Sequence, residues 1–204
     1  MNYNQKIPKI IHRTIPNQTT DLMDKCWNSV LLYTQGWKHM THYDEDKYDI
    51  CGPYLNLCEK GAFRADLIRL EALYNYGGIY LDSDIELCSS LDLLLDNDFF
   101  APIENDFYMS NLVMGATPKH PLVLEMLNMS IFWLKAGLLV SPYQILDPKA
   151  PGTWVAFGPY IVHNICFGKE GVTTLDSKSF DLYYDKSNRM GTYGKHHYAG
   201  SWTV

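Results

Sequence analysis

The 204 residues contain no run of lysines or arginines, no CxxC pair, no internal repeat and no low-complexity stretch. Each absence removes a class of function. With 17 basic against 23 acidic side chains, a net charge of −6 and no basic cluster, the chain lacks the electrostatic footprint of a nucleic-acid binder. It also lacks the polybasic patch that anchors proteins to acidic lipid. The five cysteines, Cys26, Cys51, Cys58, Cys88 and Cys166, are odd in number. They read as free thiols in a reducing compartment rather than a disulfide framework, and their spacing argues against zinc. The longest apolar-rich stretch, Ile131 to Val140, is broken by Lys135 and Gly137 and is too short for a bilayer. Met1 to Ile11 carries lysines and a proline in place of a secretory apolar core. A soluble cytoplasmic protein is the resulting expectation.

What is present describes an ordinary globular chain, 47% apolar and 20% charged, long enough for one buried core and short for two. We therefore expect a single domain over residues 1–204. The 15 tyrosines are an unusual richness that composition alone does not place. Strands are expected at Ile7–His12, Trp37–Tyr43, residues 79–82, Phe99–Ile103, Leu112–Ala116, Val172–Leu175 and Phe180–Tyr184. Helices are expected at Asp21–Tyr33 (capped by Thr19 or Thr20, with Leu22, Cys26, Val30 and Tyr33 on one face), Ala62–Tyr76, Pro121–Lys135 and from Gly158-Pro159 to Phe167. Leu91–Leu95 reads as a helical turn, and Asp44–Lys60 gives no clear pattern. Helices alternating with strands point to an α/β sheet covered on both faces.

The densest chemical information lies in Gly77-Gly78-Ile79-Tyr80-Leu81-Asp82-Ser83-Asp84-Ile85-Glu86. A glycine pair caps the preceding helix and releases a short apolar strand that ends on two aspartates one residue apart. Carboxylates held that close repel unless a hard divalent cation lies between them, and such cations ordinarily hold phosphates. On a helical wheel of about 100° per residue, Phe63, Leu67, Leu70, Leu73 and Tyr74 form the buried stripe of the preceding helix. Asp66 falls inside that stripe and Arg69 at its edge, with Arg64 and Glu71 on the solvent side. A carboxylate on a core-facing stripe must be paired, and Arg69 at i+3 is within reach. The pair is either a structural tie or faces a ligand at the strand's C-terminal end.

The blocks Ala65-Asp66-Leu67-Ile68-Arg69-Leu70 and Leu73 to Asp84 closely resemble the sugar-binding DXD region of glycosyltransferase family 32, which includes capsule transferases and yeast-type mannosyltransferases and is related to the clostridial glucosylating toxins. Ile7-Pro8-Lys9-Ile10-Ile11-His12 is similar to that family's first strand, although Ile15 stands where a tryptophan is usual. Asn111 to Pro121 and Gly158-Pro159 also fit, and His196-His197-Tyr198-Ala199-Gly200-Ser201-Trp202 is similar to the closing motif. The resemblance implies a GT-A-type α/β fold, a mixed sheet flanked by helices. It implies Mn²⁺- or Mg²⁺-assisted transfer of a hexose from a UDP- or GDP-sugar, with retention, to a glycan, lipid-linked glycan or protein. Capsular or surface polysaccharide synthesis, with peripheral membrane association at the inner face, is the implied setting.

By the same resemblance, Asp66, Arg69, Asp82 and Asp84 are the catalytic set, with Asp66 and Arg69 on the donor's sugar hydroxyls and diphosphate. Ile11, His12, Tyr80, Asp82, Ser83, Ser201 and Trp202 would line the donor. Asp84 would ligate the metal directly and Asp82 mainly through water, joined by Ser201 or a histidine, His196 being favoured over His197 because Tyr198 follows it by two. Taken on their residues alone, His12, His120 and His163 read as structural or surface groups, and Met109, Met114, Met126 and Met129 as core filling. Asn111 could orient an acceptor or satisfy its own backbone. Glu86 and Glu104 have no pattern that makes either a double-displacement nucleophile. An EF-hand is excluded by Leu87 and Leu93 at its glycine and glutamate positions. A phosphatase of the haloacid-dehalogenase type places its Asp-x-Asp near the N-terminus and carries Thr or Val where Glu86 stands. A non-catalytic nucleotide-sugar-binding module is the other alternative.

Overall fold

The central strands are apolar at every position, so both faces of the sheet must be covered. In the computed structural model, which describes residues 5–16, 18–59, 61–137, 158–183 and 189–199, they are. The elements are β1 (Ile10–Thr14), α1 (Asp21–Tyr33), β2 (Lys38–His42), α2 (Gly61–Tyr76), β3 (Gly78–Leu81), β4 (Ile85–Leu87), β5 (Phe99–Glu104), β6 (Tyr108–Met109), β7 (Val113–Ala116), α3 (Pro121–Lys135), α4 (Pro159–Cys166), β8 (Val172–Leu175) and β9 (Gly194–His196). Short 3₁₀ turns occupy Gly52–Leu57, Asp92–Leu94 and Ser177–Ser179. Among the described residues one mixed sheet runs β2-β1-β3-β7-β5-β6, with β8 also paired to β5, and β4 and β9 form a small separate ladder. β1 lies parallel to both β2 and β3, whereas β7 is antiparallel to β3 and β5.

Alternate strand residues feed two cores. Tyr80, Phe99, Ala101 and Met114 pack with α2, α3 and α4; Ile11, Ile79, Leu81, Phe100 and Val113 pack with Val30 of α1 and with Leu91, Leu94 and Leu95. The chain leaves β1 to one side to build β2 and returns to the other side to build β3. The crevice beyond the C-terminal ends of β1 and β3 is therefore a topological switch point, where open α/β sheets bind ligands.

Glycines 77 and 78 set that edge. Gly77 has φ +62° and its N–H closes α2 on the Leu73 carbonyl at 2.8 Å. Gly78 has φ +99°, and a Cβ there would lie 2.6 Å from the Ile10 carbonyl oxygen. Only glycine permits both the turn and the close approach of β1 to β3.

Several expectations shift. β1 begins at Ile10 rather than Ile7, whose N–H instead bonds the Leu95 carbonyl. Thr20 is the cap of α1, accepting from the Met23 N–H. That helix turns Met23 inward with Cys26 and Val30, leaving Tyr33 exposed. Glu71, expected in solvent, is 2% exposed and accepts the N–H groups of Asp49, Ile50 and Cys51. The segment that gave no pattern wraps over that side of α2, and backbone donors from a distant loop leave no trace on a helical wheel. Arg64 is drawn to the same segment, bonding Asp44 and the Cys58 carbonyl. Met109, Met114 and Met126 fill the core, but Met129 is 37% exposed and its sulfur accepts from the Trp133 indole. Residues 180–183 are not a strand: Phe180 and Leu182 enter the core from an irregular turn in which Asp181 has φ +49°, and Tyr184 lies outside the described residues. No helix among the described residues is long and apolar enough to cross a membrane.

Ile11 and His12, expected beside a donor, are both 0% exposed and belong to the scaffold. Ile11 sits in the core, its backbone paired on both sides. The His12 Nε2 lies 2.8 Å from the Gly77 carbonyl and its Nδ1 lies 2.9 Å from His42 Nε2. A carbonyl can only accept, so His12 is the neutral Nε2–H form and takes the His42 proton at Nδ1. Burial, partly opposed by the Gly77 bond and reinforced by His42 and Lys38, pushes His12 down to about 4 from 6.5. Because the unfolded chain binds this proton first as pH falls, stability is lost between those two values. Acidification from pH 7 to 4 is expected to cost about 3 kcal/mol through this group alone. Urea denaturation across that range should show a correspondingly flatter profile for His12→Gln; an unchanged profile would remove His12 as the cause.

Candidate active site

β3 delivers Asp82 at its end, where the Asp82 N–H bonds the Leu112 carbonyl at 2.9 Å, and a turn through Ser83 brings the chain into β4. Ser83 is half-buried at the turn between the two carboxylates. The β4–β9 ladder then sets Ile85 opposite His196 and Glu86 opposite Lys195. This register carries His196 inward, its Nε2 3.1 Å from Asp84 Oδ1. The Ala199 N–H bonds Asp84 Oδ2 at 2.9 Å, and the His197 N–H bonds the Asp84 carbonyl. The neighbouring His197 points the other way, to Glu86 Oε2 at 2.8 Å, which also receives Lys25 of α1. Strand alternation thus separates two adjacent histidines that the sequence offers as equals.

From the other side, α2 supplies a buried ion cluster. Arg69 is 6% exposed; its Nη2 lies 2.9 Å from Asp66 Oδ1 and its Nη1 3.1 Å from Asp82 Oδ1. Nη1 also donates to the Asn111 carbonyl at 2.6 Å, and the Asn111 side chain donates to Asp66 Oδ1 at 2.7 Å. Tyr80, expected beside ribose or sugar, is 1% exposed and lies under the guanidinium, whose carbon is 4.4 Å from the ring centroid. Its hydroxyl shares a 2.7 Å bond with Thr14 at the end of β1. Tyr80 therefore ties β1 to Arg69 and supports the cation from below.

The charges are distributed unevenly. Burial raises Asp66 to about 7 despite the charge of Arg69 and the Asn111 bond, with Asp82 adding to the rise. Burial likewise raises Asp82, opposed by Arg69 and reinforced by Asp84. Asp84 ends below its ordinary value, because the His196 bond and charge and the Ala199 N–H outweigh its burial. His196 is raised, the pull of Asp84 exceeding the cost of burial.

Asp82, Asp84 and His196 each bring one ligand atom within 4.8 Å of the others. The His196 Nδ1 is buried without a hydrogen-bond partner among the described residues. Two carboxylates and an imidazole are a donor set that Mn²⁺ or Mg²⁺ accepts, so the residues fit such an ion. Ser201 and Trp202, with Gly200, lie outside the described residues. Glu104 is buried and accepts from Ser110 at 3.0 Å, and its charge also reaches His196 and Tyr198. The hub formed by Asn111 was not legible beforehand. An asparagine after two short strands carries no local signal that it will meet Asp66.

A mixed sheet flanked by helices, with paired aspartates closing its central strand at the switch point, defines a GT-A-type fold. The solved structure of PaToxG Glycosyltransferase matches it with a TM-score of 0.54, covering 81% of this chain and 71% of that one at 14% identity, a likeness of fold. Residues 17–101 match the family described as glycosyltransferase sugar-binding region containing DXD motif. Inositol phosphoceramide mannosyltransferase 1 of Schizosaccharomyces pombe is 28% identical over 176 residues, 72% of this chain and 55% of the relative. Mannosyl phosphorylinositol ceramide synthase SUR1 of Saccharomyces cerevisiae is 34% identical over 136 residues, 61% of this chain and 35% of the relative. The chain thus spans about a third to a half of the length of these curated relatives. The resemblance read from Ala65 to Asp84 and the expected fold both hold.

Proposed function

We propose that the chain is a metal-assisted glycosyltransferase that moves a hexose from a UDP- or GDP-sugar to an acceptor hydroxyl with retention of configuration. The observation that carries this reading is the convergence of Asp66, Arg69, Asp82, Asp84 and His196 at the C-terminal ends of β1 and β3. Asp84 and His196, with Asp82, would hold Mn²⁺ or Mg²⁺. That ion, when bound, neutralises the charge that gathers on a departing diphosphate. Arg69 has five N–H donors. Among the described residues, its bonds to Ala65, Asn111, Asp82 and Asp66 leave one Nη2 hydrogen for the donor's phosphate or sugar. Asp66 accepts a sugar hydroxyl and fixes the ring against the cluster.

Retention without a covalent adduct is favoured by the surroundings of the other acids: Glu86 is held by Lys25 and His197, and Glu104 by Ser110. The acceptor then attacks on the face from which the diphosphate leaves, and the leaving oxygen takes its proton. The names of the relatives favour mannose as the sugar and an inositol phosphoceramide-type lipid as acceptor over a capsular glycan. A lipid acceptor would place the protein at a membrane surface.

The test is a panel of UDP- and GDP-hexoses, with and without Mn²⁺, read by thermal shift and by release of nucleoside diphosphate. At least one donor is expected to stabilise the protein only with the metal and to be turned over when an acceptor is supplied. Stabilisation without turnover by any acceptor would leave a binding module, and no stabilisation by any donor would end the proposal.

A further inference from the structure

Resting on the nucleotide-sugar reading, we propose that Asn111 is a positioning residue that sets which oxygen of Asp66 meets the sugar. Its Nδ2 donates to Asp66 Oδ1 at 2.7 Å, the same oxygen that receives Arg69 Nη2 at 2.9 Å. Both fixed donors converge on one carboxylate oxygen, and Oδ2 has no hydrogen-bond partner among the described residues. A carboxylate restrained in this way cannot rotate about its χ2 without breaking two charge-assisted bonds. Oδ2 is therefore held in one place as the open acceptor, ready for a hydroxyl. Preorganisation of this kind acts on the group it aims and leaves remote contacts alone.

The main chain of Asn111 has a separate task. Its carbonyl accepts Arg69 Nη1 at 2.6 Å, and the next residue, Leu112, gives its carbonyl to the Asp82 N–H at 2.9 Å. Replacing the side chain leaves those two bonds in place. The residue is 6% exposed, so its amide works in a site from which water is largely excluded. Asparagine suits the position because a donor is needed beside Asp66; aspartate, of the same shape, would set a second carboxylate against it.

The experiment compares Asn111→Ala and Asn111→Asp with wild type in the full chain with Mn²⁺. It measures affinity for free UDP and GDP and turnover of the matching hexose donors. A hydrogen bond to a charged group ordinarily corresponds to about 10- to 100-fold. Asn111→Ala is expected to lower kcat/KM for the sugar donor by that factor while changing nucleoside diphosphate affinity less than about twofold. Asn111→Asp should lower turnover further at unchanged diphosphate affinity. Its near-identical shape keeps the test alive if the alanine variant does not fold. Equal losses for sugar donor and free diphosphate would mark a merely structural residue and overturn the proposal, as would unchanged turnover. A wild-type protein that neither binds diphosphate nor turns over any donor would overturn this proposal together with the glycosyltransferase reading. Tight diphosphate binding with no asparagine effect overturns this one alone.

Discussion

Asp84→Asn is expected to lower sugar transfer by about 1,000-fold and to abolish the stabilisation that Mn²⁺ plus donor confers. The substitution removes a charge but little else. An asparagine oxygen can still accept the Ala199 N–H, which now reaches Asp84 Oδ2 at 2.9 Å, and the main-chain bond from His197 to the residue 84 carbonyl is untouched. What disappears is the anionic ligand and its hold on His196. A hard cation bound through two carboxylates and an imidazole loses one of its two charged ligands. Calorimetric titration of Mn²⁺ into both proteins, with initial rates over a range of metal concentrations, measures the effect. Equal rates in the two proteins at saturating donor would separate Asp84 from catalysis and leave the DXD pair as a structural turn.

Arg69→Met should be the most damaging single change to stability. The guanidinium bridges Asp66 and Asp82, at 2.9 and 3.1 Å, and it also donates to the Asn111 carbonyl. Methionine keeps the apolar bulk over the Tyr80 ring but leaves two buried carboxylates facing each other. Removing one partner of a buried ion pair costs about 3–5 kcal/mol, roughly 10 °C in melting temperature for a chain of this size.

The loss should depend on pH with a definite sign. Asp66 already stands at about 7, against 3.8 when unfolded, because of burial. A carboxyl whose folded value is raised contributes its stability below the unfolded value and loses it as pH rises through the folded one. Without Arg69 the folded value climbs further, so the variant should lie closest to wild type at acidic pH and furthest from it above neutrality. Adding Asp66→Asn to Arg69→Met should recover part of the loss at pH 8. Melting curves of the single and double variants at pH 5 and 8 decide the matter, and a deficit independent of pH would mean that packing, not charge, is what Arg69 supplies.

Much of this was present in one dimension. A helix ending on Gly77-Gly78, an apolar strand and two aspartates is local information: helix period, cap chemistry and strand length are all set within about fifteen residues. The i+3 spacing of Asp66 and Arg69 on a core-facing stripe demanded a pair, and the two side chains do meet at 2.9 Å. Pro121–Lys135 is observed with the bounds its Pro-initiated apolar pattern predicts. These features depend on nearest neighbours along the chain, which is why periodicity finds them.

The remainder depended on contacts between distant segments. Nothing near Glu71 announces the three backbone donors at residues 49–51 that bury it. His12 became scaffold because its two ring nitrogens met His42 and Gly77, 30 and 65 residues away. Tyr80 went beneath Arg69 because β1 brought Thr14 to its hydroxyl. Which of two adjacent histidines joins Asp84 was decided by the register of β9 on β4, since a slip of one residue would exchange them. The amino-acid sequence by itself determined the four helices and the acidic edge of β3. The tertiary structure decided which side chains that edge would meet, because hydrogen bonds between remote segments leave no period in the chain that makes them.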